Sequence, residues 1–259
     1  MRRGKVVLMF DLGRSEYPYL EEVNEGILRQ FKSFQPQGKV LDVGCGRGQL
    51  GEAIQSLGWE VWGIERNDEA NKIAEKRLAR VICADIMDES VLASVLEKDF
   101  FSTLVFSDVL EHLYDPLKVL TKYLNYIPVG GRVLISVPNA VVWTNRFKWL
   151  LGRVEYEDTG VMDRTHIRFF TFKTARLLIE KTGCKIVKVD STPYIVRAFL
   201  PVIKSIIGSK TTSARSIIES KPFQFYMRYF YPFENLFASF WKGMFAFRII
   251  LVAEKIKQL

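Results

Sequence analysis

Three glycines at alternating positions form the most informative chemical pattern in this 259-residue sequence: Gly44, Gly46 and Gly48. Glycine lets the backbone take positive φ and approach a ligand closely. A helix that begins behind such a loop offers free N–H groups to a carboxylate or phosphate. The pattern therefore predicts a ligand-binding loop. Because Gly46-x-Gly48-x-x-Gly51 also matches the dinucleotide fingerprint, the glycines alone do not identify the cofactor.

Three carboxylates near this loop distinguish the two cofactors. Asp42 stands two residues before the first glycine, where it can face a cation. Glu65 closes the second predicted strand and can accept hydrogen bonds from a ribose diol, and Asp85 follows the third and can accept from an adenine amino group. A sulfonium cation, a diol and an adenine together describe S-adenosylmethionine better than NAD, so we predict S-adenosylmethionine as the cofactor.

Apolar segments that alternate with helical patterns must position these residues. Alternation of this kind predicts βαβ units and a parallel sheet covered on both faces, with the glycine loop at the carboxyl ends of the strands, where ligands bind. The predicted strands are 39–43, 60–64, 80–84, 103–107, 132–137, 185–189 and 245–253. The predicted helices are 15–34, 49–57, 68–78, 90–96, 116–126 and 171–182.

Five phrases of the sequence follow one another in a characteristic order and spacing: residues 40–46, 63–65, 84–85, 108–113 and 130–134. Together they resemble class I S-adenosylmethionine-dependent methyltransferases of types 11 and 23. The resemblance implies an α/β, Rossmann-like, doubly wound fold. Its seven-stranded sheet would be mostly parallel with an antiparallel last strand, and two inserts would be added to it.

The resemblance also implies a set of cofactor contacts. The glycine loop would cradle the methionine end, Glu65 would hold the ribose, and Asp85 with Ile86 would hold the adenine. The predicted cofactor-binding residues are Asp42, Gly44, Cys45, Gly46, Gly48, Glu65, Arg66, Asp85, Ile86, Ser107 and Asp108.

The two histidines of the chain are the candidate bases. Methyl transfer to a hydroxyl requires a group that takes the proton, and histidine suits this role near neutral pH. We predict that His166 is the general base, that Asp163 orients it, and that Arg164 or Arg168 binds an anionic acceptor. His112, just after the fourth strand, is a second candidate base. A structural interpretation stays open, in which Arg168 pairs with Asp163 and His112 packs in its loop.

The net charge of +8 is concentrated in the last quarter of the chain. Residues 195–259 hold ten Lys or Arg against three Asp or Glu, and residues 223–247 contain twelve aromatic side chains. Aromatic rings beside basic residues are typical of a membrane interface with anionic lipid, although the same rings would also suit a cap over the sheet or a dimer surface. Nucleic acid is disfavoured because the remainder of the chain has no basic stripe.

The organisation predicted is one methyltransferase domain over residues 1–259. Its elaborations are a lead-in helix at 15–34, an active-site insert at 139–170 and an aromatic, basic insert at 195–243. Three cysteines at scattered positions indicate a reducing compartment and neither a disulfide framework nor a metal site. We therefore predict a cytoplasmic protein, peripheral at the inner face of the membrane, with no metal and an undetermined oligomeric state.

The acceptor is predicted from the segment around His166, which resembles one found in methyltransferases of cell-surface polysaccharide and glycolipid synthesis. O-methylation of a sugar or lipid-linked glycan hydroxyl is the first prediction. Methylation of an isoprenoid or phenolic small molecule is the second. A protein that binds the cofactor without catalysis and acts with a membrane partner is the third. The direction in which residues 163–168 face distinguishes an enzyme from such a binding protein.

Overall fold

A single seven-stranded sheet organises the computed structural model, which describes residues 23–193 and 225–258. Its order is β3-β2-β1-β4-β5-β7-β6. β7 is antiparallel to both neighbours, and the other pairs are parallel. The predicted fold class is therefore confirmed, including the antiparallel last strand. The strands are β1 Lys39–Val43, β2 Glu60–Glu65, β3 Arg80–Cys83, β4 Thr103–Ser107, β5 Arg132–Pro138, β6 Cys184–Pro193 and β7 Ala246–Lys255.

Helices cover both faces of the sheet, and several begin at side-chain caps. Asn67 accepts a hydrogen bond from the Ala70 N–H, and Thr171 forms a capping box with Thr174. A π-helical turn spans Tyr226–Phe230. The helices are α1 Glu25–Phe31, α2 Gln49–Gln55, α3 Asp68–Ala74, α4 Glu89–Val95, α5 Pro116–Tyr123, α6 Trp143–Leu150, α7 Phe172–Lys181, α8 Tyr231–Phe240 and α9 Lys242–Phe245.

The core is divided between the two faces because successive strand residues point to opposite sides. Leu41 and Phe106 belong to one buried cluster, whereas Val40 and Val105 belong to the other. Both clusters are apolar, which explains why these strands are nearly continuous apolar runs in the sequence. Burial on both faces fixes the register of β1 against β4, and this register places the ends of the two strands side by side.

Several elements differ from the sequence prediction. Of the predicted lead-in helix, residues 15–22 lie outside the described part, and the helix observed is the seven-residue α1, which begins after Asn24. The insert 139–170, in which no helix was predicted, contains α6. β6 and β7 are longer than predicted because their antiparallel pairing continues over nearly the whole of both strands.

The second insert, predicted at 195–243, is described only from residue 225, so its residues 195–224 lie outside the described part of the chain. Its described part forms the π-helical turn, α8 and α9. Among the helices of the described ranges, none is long and apolar enough to cross a membrane.

Candidate active site

A cavity of about 240 Å³ opens where β1 and β4 end, between the glycine loop and the 139–170 insert. This is the edge of the sheet at which α/β proteins bind ligands. The residues that line it come from the glycine loop, the end of β4, the insert and β7. They are Asn24, Asp42, Gly44, Cys45, Gly46, Arg47, Gln49, Leu50, Ser107, Asp108, Glu111, His112, Pro138, Thr159, Gly160, Asp163, His166, Phe247 and Arg248.

The glycine loop owes its shape to positive φ angles. Gly44 has φ of 75°, and a Cβ added there would lie 2.8 Å from Cγ2 of Val109. A side chain at this position would therefore be strained and would displace the residue next to Asp108. Gly48, with φ of 79°, is the N-cap of α2 and starts that helix instead of lining the cavity.

Asp42 is a buried carboxyl group that faces the cavity without a full set of partners. Its side chain is 1% exposed, and Oδ1 has no hydrogen-bond partner. Burial, together with a smaller contribution from the nearby Glu65 carboxylate, raises the pKa of Asp42 to about 7. A buried carboxylate is stabilised when a cation pairs with it, so this position fits the cationic end of S-adenosylmethionine.

Glu65 braces the loop from the next strand. Its Oε2 accepts a hydrogen bond of 3.0 Å from the Gly46 N–H, and its Oε1 accepts one of 2.8 Å from the Asn67 N–H. These bonds couple the end of β2 to the glycine loop. Glu65 does not belong to the lining of the cavity, so its contact with the ribose stays a prediction.

The predicted adenine contacts lie beyond the cavity, at the ends of β2 and β3. Arg66 and Asp85 form a salt bridge of 3.0 Å there. The other oxygen of Asp85 accepts from the Met87 N–H, and the Ile86 carbonyl accepts from the Tyr123 hydroxyl. The roles of Arg66, Asp85 and Ile86 toward the cofactor stay predictions.

A polar network fixes the floor of the cavity. Asp108, with φ of 56°, accepts from the Ser136 hydroxyl at 2.8 Å and from Arg248 Nε at 2.8 Å. The Asn24 amide donates to the hydroxyls of Ser107 and Ser136 at 3.0 and 2.8 Å. The network joins the start of α1 to β4, β5 and β7. Ser107 and Asp108 were predicted from the sequence, whereas Asn24 and Arg248 were not, since neither belongs to a motif.

Both histidines reach the cavity, and their rings are in contact. The ring centroids of His112 and His166 lie 4.8 Å apart in an edge-to-face arrangement. Nδ1 of His112 lies 3.1 Å from the Thr165 carbonyl oxygen, and Nδ1 of His166 lies 3.0 Å from that of Val161. Burial lowers the pKa of His112 to about 4, and His166 contributes to this shift. His112 is therefore neutral at physiological pH.

Glu111 completes this cluster and was not predicted as a site residue. It is 1% exposed, and neither carboxyl oxygen has a hydrogen-bond partner. Burial raises its pKa well above the ordinary value, and Asp108 raises it further. One side-chain atom from each of Glu111, His112 and His166 lies within 4.8 Å of the others, and such a group could hold a metal ion. We call these three residues the Glu–His–His cluster.

The other predicted residues of the insert take different positions from those expected. Asp163 lines the cavity, but its Oδ1 accepts from the backbone and hydroxyl of Thr165, and it makes no hydrogen bond to the His166 ring. Arg164 is exposed and pairs with Asp158 at 3.0 Å. Arg168 donates to the Tyr114 carbonyl.

Neither Arg164 nor Arg168 lines the cavity, so contact of either arginine with an anionic acceptor stays a prediction. The insert is held by its backbone, since the N–H groups of Ile167 and Arg168 both donate to the Glu111 carbonyl at 3.0 Å. The side chain of Arg168 is exposed and donates to the Tyr114 carbonyl, so the alternative pairing of Arg168 with Asp163 is not formed.

Comparison with known proteins identifies the family. Residues 15–189 match the family described as methyltransferase domain. The chain belongs to this family. It is 31% identical over 183 residues to the ubiquinone biosynthesis O-methyltransferase of Paracidovorax citrulli, an alignment that covers 68% of this chain and 74% of that protein. It is 32% identical over 130 residues to the enzyme of the same name from Thiobacillus denitrificans, an alignment that covers 48% of this chain and 56% of that enzyme.

Solved structures share the fold. A SAM-dependent methyltransferase from Archaeoglobus fulgidus has a TM-score of 0.58 with 20% identity, covering 88% of this chain and 91% of that chain. Phosphoethanolamine N-methyltransferase 2 from Haemonchus contortus, solved in complex with S-adenosyl-L-methionine, has a TM-score of 0.53 with 19% identity. The superposition covers 89% of this chain and 51% of that chain. The protein is a methyltransferase that depends on S-adenosylmethionine, as the sequence predicted.

Proposed function

We propose that this methyltransferase methylates a phenolic hydroxyl on an apolar, isoprenoid-type acceptor. The observation that carries the proposal is the Glu–His–His cluster, which lines the same cavity as the glycine loop and Asp42. The names of the relatives, O-methyltransferases of ubiquinone biosynthesis, support an oxygen acceptor of this class. They favour the second predicted acceptor over the glycan.

The placement of charge in the cavity also favours an uncharged acceptor. Arg164 and Arg168, which would bind an anionic glycan, do not line it. Of the two arginines that do, Arg248 is paired with Asp108 at 2.8 Å and Arg47 belongs to the glycine loop. A phenol ionises near pH 10, as tyrosine does, so modest help from the protein suffices to remove its proton.

The cofactor supplies an electrophilic methyl group on a sulfonium sulfur, and the protein supplies position and proton removal. Alignment of acceptor and methyl group accounts for much of the rate in such a displacement. Asp42 and the glycine loop would hold the donor on one side of the cavity. His166 on the other side stays our candidate for the residue that enables loss of the acceptor proton.

An acceptor assay tests the proposal. Purified full-length protein is incubated with S-adenosylmethionine and either a prenylated catechol or a lipid-linked glycan, and S-adenosylhomocysteine is quantified. We expect product with the catechol and an O-methyl group in its mass spectrum. Product with the glycan alone would contradict the proposed acceptor, and no product with either, despite bound cofactor, would contradict the proposal as a whole.

We also propose that the enzyme contacts anionic membranes, where an isoprenoid acceptor resides. Exposed aromatic side chains occur on the π-helical turn and α8, and Phe240 at the end of α8 is 91% exposed. Leu150, in α6, is also exposed, at 82%. α6 lies beside α9, because Arg146 of α6 donates to the Gly243 carbonyl of α9. Apolar and aromatic groups next to basic residues suit the lipid interface.

Liposome flotation checks this contact. We expect the protein to float with vesicles of phosphatidylglycerol and phosphatidylcholine, and to float less when Phe240 and Leu150 are both replaced by serine. Both positions are exposed, so the double variant should fold normally. Absence of flotation with anionic vesicles would refute membrane contact without affecting the assignment of the acceptor.

A further inference from the structure

We propose that the Glu–His–His cluster is a binding site for a divalent transition-metal ion, with Glu111, His112 and His166 as its ligands. The site itself is argued from the cluster alone, whereas the role given to the ion rests on the proposed function. Glu111 and His112 lie in the short 3-10 turn Leu110–His112, and His166 lies in the insert. These two segments are far apart in the sequence.

The first argument is the orientation of the two imidazoles. In each histidine, Nδ1 lies within hydrogen-bond distance of a backbone carbonyl oxygen, Thr165 for His112 and Val161 for His166. A carbonyl only accepts, so Nδ1 carries the proton and donates, and Nε2 is left with its lone pair. Metal-binding histidines have this arrangement, in which a backbone or carboxylate partner fixes the tautomer and orients the ring.

The second argument is the buried carboxyl group of Glu111 close to both imidazoles. Both oxygens of Glu111 are buried and without partners, which is costly for a polar group unless something binds it. Its backbone carbonyl is held by two N–H groups of the insert, so its position is defined and not a consequence of a loose loop. A cation bound by Glu111 would satisfy these oxygens and stabilise the ionised carboxylate.

The third argument is the ligand set, which selects the ion. Two imidazole nitrogens and one carboxylate oxygen suit zinc, iron, cobalt or manganese, whereas magnesium and calcium prefer oxygen ligands. The ligand atoms lie within 4.8 Å of one another. Around an ion with bonds of about 2.1 Å they would be roughly 3–4 Å apart, so binding would draw them together by about 1 Å.

Three protein ligands leave coordination positions for an acceptor oxygen. A hydroxyl bound there loses its proton to solvent more easily, because the cation lowers its pKa. The oxygen then bonds to the methyl carbon as the carbon–sulfur bond breaks, and the electron pair of that bond stays on sulfur. In this arrangement His166 acts as a ligand, and it enables proton loss through the ion rather than by accepting the proton.

Titration with Co²⁺ tests the site on the full-length protein, without any need for an acceptor. The protein is first freed of metal with a chelator, and visible absorption bands of bound Co²⁺ are followed, with Zn²⁺ as competitor. We expect one ion per chain in the wild type. In Glu111→Gln and His166→Ala we expect the affinity to fall by about 100-fold or more, since even outer-shell changes cost 10- to 100-fold.

Cys83→Ser is the matched control, because Cys83 is an exposed thiol that could bind Co²⁺ elsewhere. Its titration should match the wild type. Circular dichroism of each metal-free variant verifies folding, and Glu111→Gln preserves the shape of the side chain. No bound ion in the wild type, or equal affinity in the folded Glu111 and His166 variants, would overturn the proposal. Methyl transfer by metal-free protein would refute the role of the ion and leave the proposed acceptor intact.

Discussion

Replacement of His166 by glutamine is expected to slow methyl transfer by about 10²- to 10⁴-fold while the affinity for S-adenosylmethionine changes by no more than about twofold. His166 is buried, lines the cavity and belongs to the Glu–His–His cluster. In our proposal its loss removes the group that enables the acceptor hydroxyl to lose its proton, whether the imidazole acts directly or through an ion. The glycine loop and Asp42, which we propose hold the donor, are not changed.

Arg164→Gln is the matched control for this variant. Arg164 lies on the same insert, two residues away, but it is exposed and pairs with Asp158 outside the cavity. We expect its turnover to stay close to that of the wild type. Turnover is measured as S-adenosylhomocysteine released, and cofactor affinity by calorimetry. Full activity of His166→Gln would exclude the cluster from catalysis, and equal losses in both variants would point to a structural role of the insert.

Replacement of Asp42 by asparagine is expected to stabilise the cofactor-free protein at pH 8 by roughly 2–4 kcal/mol. In the unfolded chain Asp42 loses its proton near pH 3.8, whereas in the folded protein burial holds the pKa of Asp42 at about 7. Between these values the folded state binds more protons than the unfolded state, so the free energy of unfolding falls as the pH rises. Above about pH 7 this loss of unfolding free energy is complete, and below pH 3.8 there is no such loss.

The pH dependence separates this effect from a general change in packing. Urea unfolding without cofactor should show the largest gain for Asp42→Asn at pH 8 and a gain that shrinks as the pH falls toward 4. Glu60→Gln serves as the control of opposite sign, because hydrogen bonding by Lys39 lowers the pKa of this exposed carboxyl group. It should not stabilise the protein at pH 8. A gain for Asp42→Asn that does not vary with pH would contradict the explanation.

Much of the fold could be predicted because its causes are local. β1 and β4 have the bounds that the sequence indicates, since each is a short apolar run bounded by polar or glycine residues. The positions of Gly44 and Asp42 follow from β1, because a tight turn after a parallel strand must lie at the ligand edge. The half of the cavity that we propose binds the cofactor was therefore predictable from the sequence.

The other half of the cavity, where we propose that the acceptor binds, could not be predicted because long-range backbone hydrogen bonds assemble it. The Glu111 carbonyl accepts from the N–H groups of residues 167 and 168, which holds the insert beside the turn that carries His112, and the rings of His112 and His166 are in contact. No local pattern encodes this pairing. Glu111 also lies within residues 108–113, one of the five phrases on which the family resemblance rests. Nothing in the sequence indicated that its carboxyl group would be buried without hydrogen-bond partners.

The most direct test of the central claim, that the cavity beneath the glycine loop holds the methyl donor, is a calorimetric titration of wild type and Asp42→Asn with S-adenosylmethionine. We expect the wild type to bind and the variant to bind about 10- to 100-fold more weakly, because a charge-assisted hydrogen bond contributes about 1.5–3 kcal/mol. The variant should bind more weakly although it unfolds less readily. Wild-type affinity in the folded Asp42→Asn protein would contradict the claim.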